Sequence, residues 1–515
     1  MLSCAYSAGL FGIDGYLVSV ECNTSKRLTC FEIVGLPDNA IKEAKERVRS
    51  AAINSGFPFP DCELIVNLAP ADIKKEGSAF DLAIIVSILR CAGNVSQNTE
   101  LEDKCFIGEL SLSGAIRPAR GVLCMVIAAK NAGKKHIFVP EENAKEASVV
   151  QGINVYGVKN LRQVVDFLNG KIHLEKAKYV PTEKEVQVIC PDFADVKGQA
   201  KAKRAMEIAA AGGHNIILIG PPGTGKSMLA KRLPSILPEM SFEEAIETTK
   251  VHSISGLLPE DVSLIKVRPF RSPHHTMSTA SLVGGGKIPT PGEISLANNG
   301  VLFLDELPEF NKQVTESLRQ PLEDGCVTIT RTAGKVSYPC SFMLVCAMNP
   351  CKCGYYGHPT KKCTCKETDI QKYLKKISGP LLDRIDIQIE VPSLTYDELS
   401  VTAPSEPSSE IRKRVDIARR VAQLRYENEK TDTGLTINCN AQLEARHIRK
   451  YCVLDDACNA LMEKAFNNLG LSARGHDRIL RLARTIADLD DSERIQPKHL
   501  AEAIQLRSLD RKYFK

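Results

Sequence analysis

No stretch of this chain approaches the roughly 20 consecutive apolar residues that a membrane-spanning helix requires, so no transmembrane helix is expected. The opening segment, MLSCAYSAGLFGIDGYLVSVE, lacks a basic start, and Gly12, Asp14 and Gly15 break its apolar run. A secretory signal is therefore not expected, and the expected location is the cytoplasm. Neither sign of charge is in excess: 67 Lys and Arg against 62 Asp and Glu leave +5 over 515 residues. That balance excludes a global field for nucleic acid, so any such binding must come from local basic patches. Internal repeats and long low-complexity tracts are also missing. What remains is a globular composition, 43% hydrophobic and 25% charged. The length exceeds one ordinary core and points to roughly two to four domains. Most of the 18 cysteines sit in apolar runs such as VSILRCAG and FMLVCAMN, where a free thiol behaves as a small hydrophobe.

Residues 1–170 alternate strand and helix signals. LTCFEIVGL reads as a strand, and PDNAIKEAKERVRSAAINSG as a helix with Ile41, Ala44, Val48 and Ala52 on one face and Gly56 closing it. CELIVNLAP, SAFDLAIIVSILRCAG and KHIFVP continue the alternation, so the segment is predicted to be an α/β or α+β domain. Residues 171–189 are charged and contain a proline, as an exposed linker does. From 190 to 400 helices alternate with β-rich apolar runs, the pattern of a mostly parallel α/β sheet. The Ser/Pro stretch TAPSEPSSE then introduces an all-helical region, 401–515.

The strongest chemical signal is NIILIGPPGTGKSMLAKRL. Gly220, Pro221, Pro222, Gly223, Thr224, Gly225, Lys226 and Ser227 form G-x-x-x-x-G-K-S between an apolar strand and an amphipathic helix. The glycines let backbone N–H groups turn inward around phosphates, Lys226 reaches the β- and γ-phosphates, and Ser227 can ligate Mg²⁺. An NTP site also needs an apolar strand ending in acid, and GVLFLDELPEF supplies Asp305 for the Mg²⁺ shell and Glu306 to deprotonate the attacking water. CSFMLVCAMNP places Asn349 at the end of another strand, where an amide can fix that water or contact the γ-phosphate; an ordinary Asn-Pro turn is the alternative. GPLLDRIDIQIEV puts Arg384 just before a strand, either as a charge supplied in trans to a transferring phosphoryl group or as half of an ion pair with Asp386.

Together with RPFRSPHHTMSTASLVGGG and PGEISLANNG, these segments resemble the magnesium-chelatase-like AAA+ ATPases of the ComM/YifB family over nearly the whole chain. The resemblance implies Walker A at Gly220 to Ser227, Walker B at Asp305 and Glu306, sensor 1 at Asn349 and an arginine finger at Arg384. In LSARGHDRILRLARTIADL it implies a sensor 2 arginine in a helical C-terminal lid, Arg474 before Arg478. It further implies ATP and Mg²⁺ as cofactors, and a homo-oligomeric, hexameric ring working on single-stranded or branched DNA. The implied activity is branch migration in recombination and natural transformation. A protein-remodelling or chelatase-type ATPase without a DNA substrate is the alternative. AAKNAGKKHIFVPEENAKEASVV is similar to the Lon-type proteolytic domain, a ribosomal-S5-like α+β fold. There Ser78 is followed by Ala79 and Phe80 where the family has glycine, and Arg117, which cannot act as a base, stands where a lysine is expected. A non-proteolytic scaffold or docking module is therefore expected.

Two further features bear on partners and metals. CVTITRTAGKVSYPCSFMLV reads as a hairpin whose basic tip, Arg331 and Lys335, is suited to gripping DNA phosphates in a ring pore, with solvated turn charges as the alternative. Lys287 in SLVGGGKIPTPGE is a weaker candidate for the same task, and His274 and His275 read as loop hydrogen-bond donors. NPCKCGYYGHPTKKCTC carries Cys351, Cys353, Cys363 and Cys365. Two Cys-x-Cys pairs can supply the four-sulfur tetrahedron of a structural Zn²⁺ and the folding energy of a loop with little apolar content. Free thiols in a reducing cytosol, and an iron–sulfur cluster, are the alternatives.

Overall fold

The computed structural model describes every residue except 27, 181–190, 260, 287–288, 332–333, 359, 395–397, 399–404, 433, 435, 510–512 and 514–515. The chain forms two compact units. The first comprises Met1–Gln187, Phe242–Lys266 and Thr330–Tyr338; the second comprises Val188–Ser241, Val267–Ile329 and Pro339–Lys515.

In the first unit a long antiparallel hairpin, Leu2–Phe11 and Asp14–Ser25, turns at Gly12, whose φ of 65° lies in the left-handed region. Glu63–Ala69 joins it antiparallel, and Cys30–Val34 then pairs parallel at the edge. The helix Asn39–Asn54 buries Ile41, Ala44, Val48 and Ala52, the face that helical spacing predicts. A second, parallel sheet is built from Lys104–Phe106, His136–Pro140 and Asn154–Val158.

The core of the second unit is a five-stranded sheet ordered Phe270–Arg271, Val301–Leu304, Met343–Met348, Ile216–Ile219, Ile387–Glu390. Every neighbouring pair is parallel. The three middle strands are buried at each position, which is why they read as unbroken apolar runs and not as alternating ones. Parallel pairing brings their C-terminal ends to one edge, and there the phosphate loop, Asp305 and Asn349 emerge. Beyond residue 404 the chain is helical: Ser408–Arg425, Ala445–Tyr451, Asp456–Leu469, Ala473–Leu489 and Pro497–Gln505. Ile411, Val415, Leu482 and Ile486 share one core with Ile208 and Ala209 of the helix Ala200–Gly212, so residues 190–400 and 401–515 do not have separate cores.

Candidate functional site

The phosphate loop runs from the strand Ile216–Ile219 to the helix Lys226–Arg232. At Gly220 a Cβ would run into the carbonyl of Val391, while Gly223 and Gly225 hold φ of 79° and 87°, a conformation side chains resist. Thr224 Oγ1 donates to the Pro221 carbonyl at 3.0 Å, closing the loop on itself. Lys226 is buried and donates to the carbonyls of Gly220 (2.7 Å) and Pro221 (2.8 Å) and to Asn349 Oδ1 (3.1 Å). Burial pushes its ammonium down to about 8, partly offset by Asp305 and Glu306.

Ser227 Oγ donates to Asp305 Oδ2 at 2.6 Å, bringing the two expected Mg²⁺ ligands side by side. Glu306 has a φ of 53°, a strained value for glutamate that costs about 1–3 kcal/mol, and its side chain is exposed. His275 Nδ1 lies 3.8 Å from Glu306 Oε2, with its ring 4.2 Å from that of His274 and edge-on to Phe310. His274 Nδ1 bonds Thr276 Oγ1 within its loop at 2.9 Å and accepts from the Thr276 amide at 3.4 Å, but His275 faces the acid that the sequence singles out for water activation. The signal for this contact is strand adjacency: Phe270–Arg271 pairs parallel with Val301–Leu304, so His275 and Glu306 leave the same sheet edge.

Arg384 donates to the carbonyls of Arg319 (3.2 Å) and Pro380 (2.6 Å) and pairs with Glu323. The alternative partner, Asp386, is taken up by His214 Nδ1 at 3.4 Å and Arg478 Nε at 3.5 Å. Burial alone would raise the Asp386 carboxyl, but the hydrogen bond and charge of His214 and the charges of Arg481 and Arg478 hold it well below the usual range. Arg478 is thus buried in a fixed ion-pair cluster, whereas Arg474 is exposed on the first turn of Ala473–Leu489.

The four cysteines meet. Cys351 Sγ lies 3.4 Å from Cys353 and 3.7 Å from Cys363, the last two are 3.5 Å apart, and all four ligand atoms fall within 4.8 Å of one another. Four sulfurs bound ~2.3 Å from a tetrahedral zinc stand about 3.8 Å apart, whereas a disulfide requires about 2.05 Å, so the spacing fits a metal. Burial would raise the Cys353 thiol, but the amides of Tyr355 and Thr364 and the thiols of Cys351 and Cys363 draw it down to about 5. The intervening His358 is used otherwise: Nδ1 accepts from the amides of Thr360 (3.1 Å) and Lys361 (2.9 Å), and Nε2 bonds Ser393 Oγ at 3.1 Å.

In the first unit Ser78 donates to Glu109 Oε2, and Arg117 lies 3.4 Å from Glu109 Oε1. The serine and the arginine therefore converge on a carboxylate, and Phe80 is buried at the start of the helix Asp81–Cys91. The expected hairpin is present, Cys326–Arg331 with Gly334–Pro339, and Lys335 is exposed on it. Val336 packs at the Gly12 turn, in the first unit. Lys287 and the side chain of Arg331 lie outside the described residues, as does the second half of the expected linker.

Three family models match the chain: magnesium chelatase subunit ChlI over residues 192–399, subunit ChlI of Mg-chelatase over 20–143, and the ChlI C-terminal region over 405–507. Competence protein ComM of Haemophilus influenzae is 43% identical over 516 residues, covering 99% of this chain and 98% of that protein. The uncharacterized protein YifB of Escherichia coli is 42% identical over 512 residues, with the same shares covered. The magnesium-chelatase 38 kDa subunit of Rhodobacter capsulatus is 25% identical over 338 residues, covering 60% of this chain and 84% of that subunit.

Proposed function

Because the chain belongs to the ComM/YifB family of magnesium-chelatase-like proteins, we propose that it is a Mg²⁺- and ATP-dependent AAA+ motor. It works as a homo-oligomeric, hexameric ring on DNA in the cytoplasm and drives branch migration. The observation that carries the ATPase reading is the convergence of Lys226 with Asn349, and of Ser227 with Asp305, at the C-terminal edge of one parallel sheet. Lys226 exchanges the loop carbonyls for the β- and γ-phosphates, and Asn349 orients the terminal phosphate. Ser227 and Asp305 would hold Mg²⁺, which would supply charge neutralisation to the bound phosphates. Glu306 takes the proton of the attacking water, and Arg384 from a neighbouring subunit meets the charge on the transferring group. The helices beyond residue 404 act as the lid, with Arg474 as its phosphate-contacting arginine. The first unit is a Lon-like scaffold without peptidase chemistry, a reading supported by the commitment of Ser78 and Arg117 to Glu109. Zn²⁺ is the ion whose geometry suits the four thiolates.

A competence protein among the relatives supports DNA as the substrate, and Lys335 with Arg331 supplies the phosphate-gripping tip. The test is the ATPase rate with and without single-stranded, three-way and four-way junction DNA at low salt. Junctions should accelerate hydrolysis, and binding should be independent of sequence and weaken steeply with salt, by roughly 0.7–0.9 in log–log slope per phosphate contact. Replacing Lys335 and Arg331 with Ala should flatten that slope and remove the DNA-stimulated part of the rate. A chelatase-type or protein-remodelling ATPase predicts no stimulation in the unmodified protein, and that result would replace the DNA reading.

A further inference from the structure

We propose that the four-cysteine turn is a metal clamp on the nucleotide site, so that Zn²⁺ at Cys351, Cys353, Cys363 and Cys365 and nucleotide at 220–227 strengthen each other's binding. The proposal rests on reading 220–227 as the ATP loop and the thiolates as zinc ligands, and adds a coupling between them. Three contacts carry it. Along the chain, Cys351 stands two residues after Asn349, whose Oδ1 receives a hydrogen bond from Lys226 Nζ at 3.1 Å. Across space, Gly354 inside the turn has a φ of 84°, and a Cβ there would stand 2.5 Å from Cδ and 3.2 Å from Cγ of Pro222. The backbone of the cysteine turn therefore rests directly on the phosphate loop. On the far side, His358 bonds Ser393 Oγ at 3.1 Å, next to Pro392, whose carbonyl accepts from Gln199 Nε2 at 2.8 Å. That same Gln199 nitrogen is 3.4 Å from the carbonyl of Thr224 in the loop.

The turn follows the strand end that presents Asn349 and packs against Pro222 of the loop, and it has little apolar content of its own. A metal supplies its order. Fixing the turn then fixes Pro222 and Asn349, which lowers the ordering cost of binding phosphates. Linkage makes the effect reciprocal: a filled loop must hold the metal more tightly by the same factor, and couplings of this kind span about 5- to 150-fold.

The experiment uses the unmodified full chain, with zinc content determined first; about one Zn²⁺ per chain is expected. The equilibrium partition of Zn²⁺ between the protein and a zinc-selective chromophoric chelator is then measured with and without saturating Mg²⁺ and a non-hydrolysable ATP analogue. Nucleotide should tighten zinc binding at least about fivefold. Gly354→Ala, which leaves all four thiolates in place, should retain zinc, bind the analogue at least fivefold more weakly, and lose the tightening. A protein that binds both zinc and nucleotide but holds zinc with one affinity regardless overturns the coupling alone. A protein that carries no zinc, or binds no nucleotide, overturns the underlying site reading and the coupling with it. Because the partition measurement needs no variant, a misfolded Gly354→Ala protein does not shield the proposal.

Discussion

Replacing Glu306 with Gln should leave Mg²⁺-ATP binding close to that of the unmodified protein and lower single-turnover hydrolysis by about 10²- to 10⁴-fold, the range for a general base. The amide keeps the size of the side chain and removes its ability to accept the water's proton. It leaves in place the hydrogen bonds that Lys226 makes to Gly220, Pro221 and Asn349 and that Ser227 makes to Asp305, and removes only the charge through which Glu306 supports the Lys226 ammonium. Lys226→Ala should act on the other step and weaken nucleotide binding outright. His275 lies 3.8 Å from the Glu306 carboxylate. If it aims that carboxylate, His275→Ala should lower kcat with little change in KM, and a hydrogen-bonding replacement such as Gln should recover part of the loss. Stopped-flow binding of a fluorescent ATP analogue beside quenched-flow hydrolysis separates these effects. Brisk hydrolysis by the Glu306→Gln protein would remove Glu306 from the role.

The parts of this site that were legible in the sequence are those whose chemistry is local. A glycine-rich turn between an apolar strand and a helix carries its own instructions, since φ near 79° and 87° at Gly223 and Gly225 is a property of those residues. The unbroken apolar runs IILI, VLFL and MLVCAM likewise announce strands buried on both faces. The four cysteines were conspicuous by spacing. What composition and period do not carry is which strands lie side by side. His275 reaches Glu306 only because Phe270–Arg271 is the edge strand beside Val301–Leu304, across an intervening stretch that includes two short helices and a short hairpin. Gly354 meets Pro222 for the same reason, and its φ of 84° is invisible until the turn is closed. The assignment of Phe242–Lys266 and Thr330–Tyr338 to the first unit is a fact of packing that no linker composition reports. That Asp386 engages Arg478 while Arg474 stays exposed is likewise a tertiary fact that spacing does not carry.

Arg384 carries the largest expected effect. A guanidinium supplied to the transferring phosphoryl group by a neighbour is worth about 10³- to 10⁵-fold in rate, so Arg384→Ala should bind ATP and scarcely hydrolyse it. Within one chain the guanidinium is held by Glu323 and by the carbonyls of Arg319 and Pro380, which sets up a clean rival account: the residue braces the end of the sheet and its loss is structural. The two accounts separate on three measurements. A bracing role predicts a lowered melting temperature with proportionate loss of nucleotide binding, whereas a finger predicts normal binding and a dead chemical step. Arg384→Lys should not rescue a finger, because a lysine presents a point charge in place of the planar fork that matches two phosphate oxygens. Mixing Arg384→Ala with Lys226→Ala protein should restore part of the activity, since some interfaces then pair an intact Lys226 loop with an intact Arg384 from the next subunit. Two inactive proteins that regain turnover only on mixing cannot do so by bracing, which acts within each chain. Silence from rings demonstrated to contain both variants would return Arg384 to the Glu323 pair and a purely structural place.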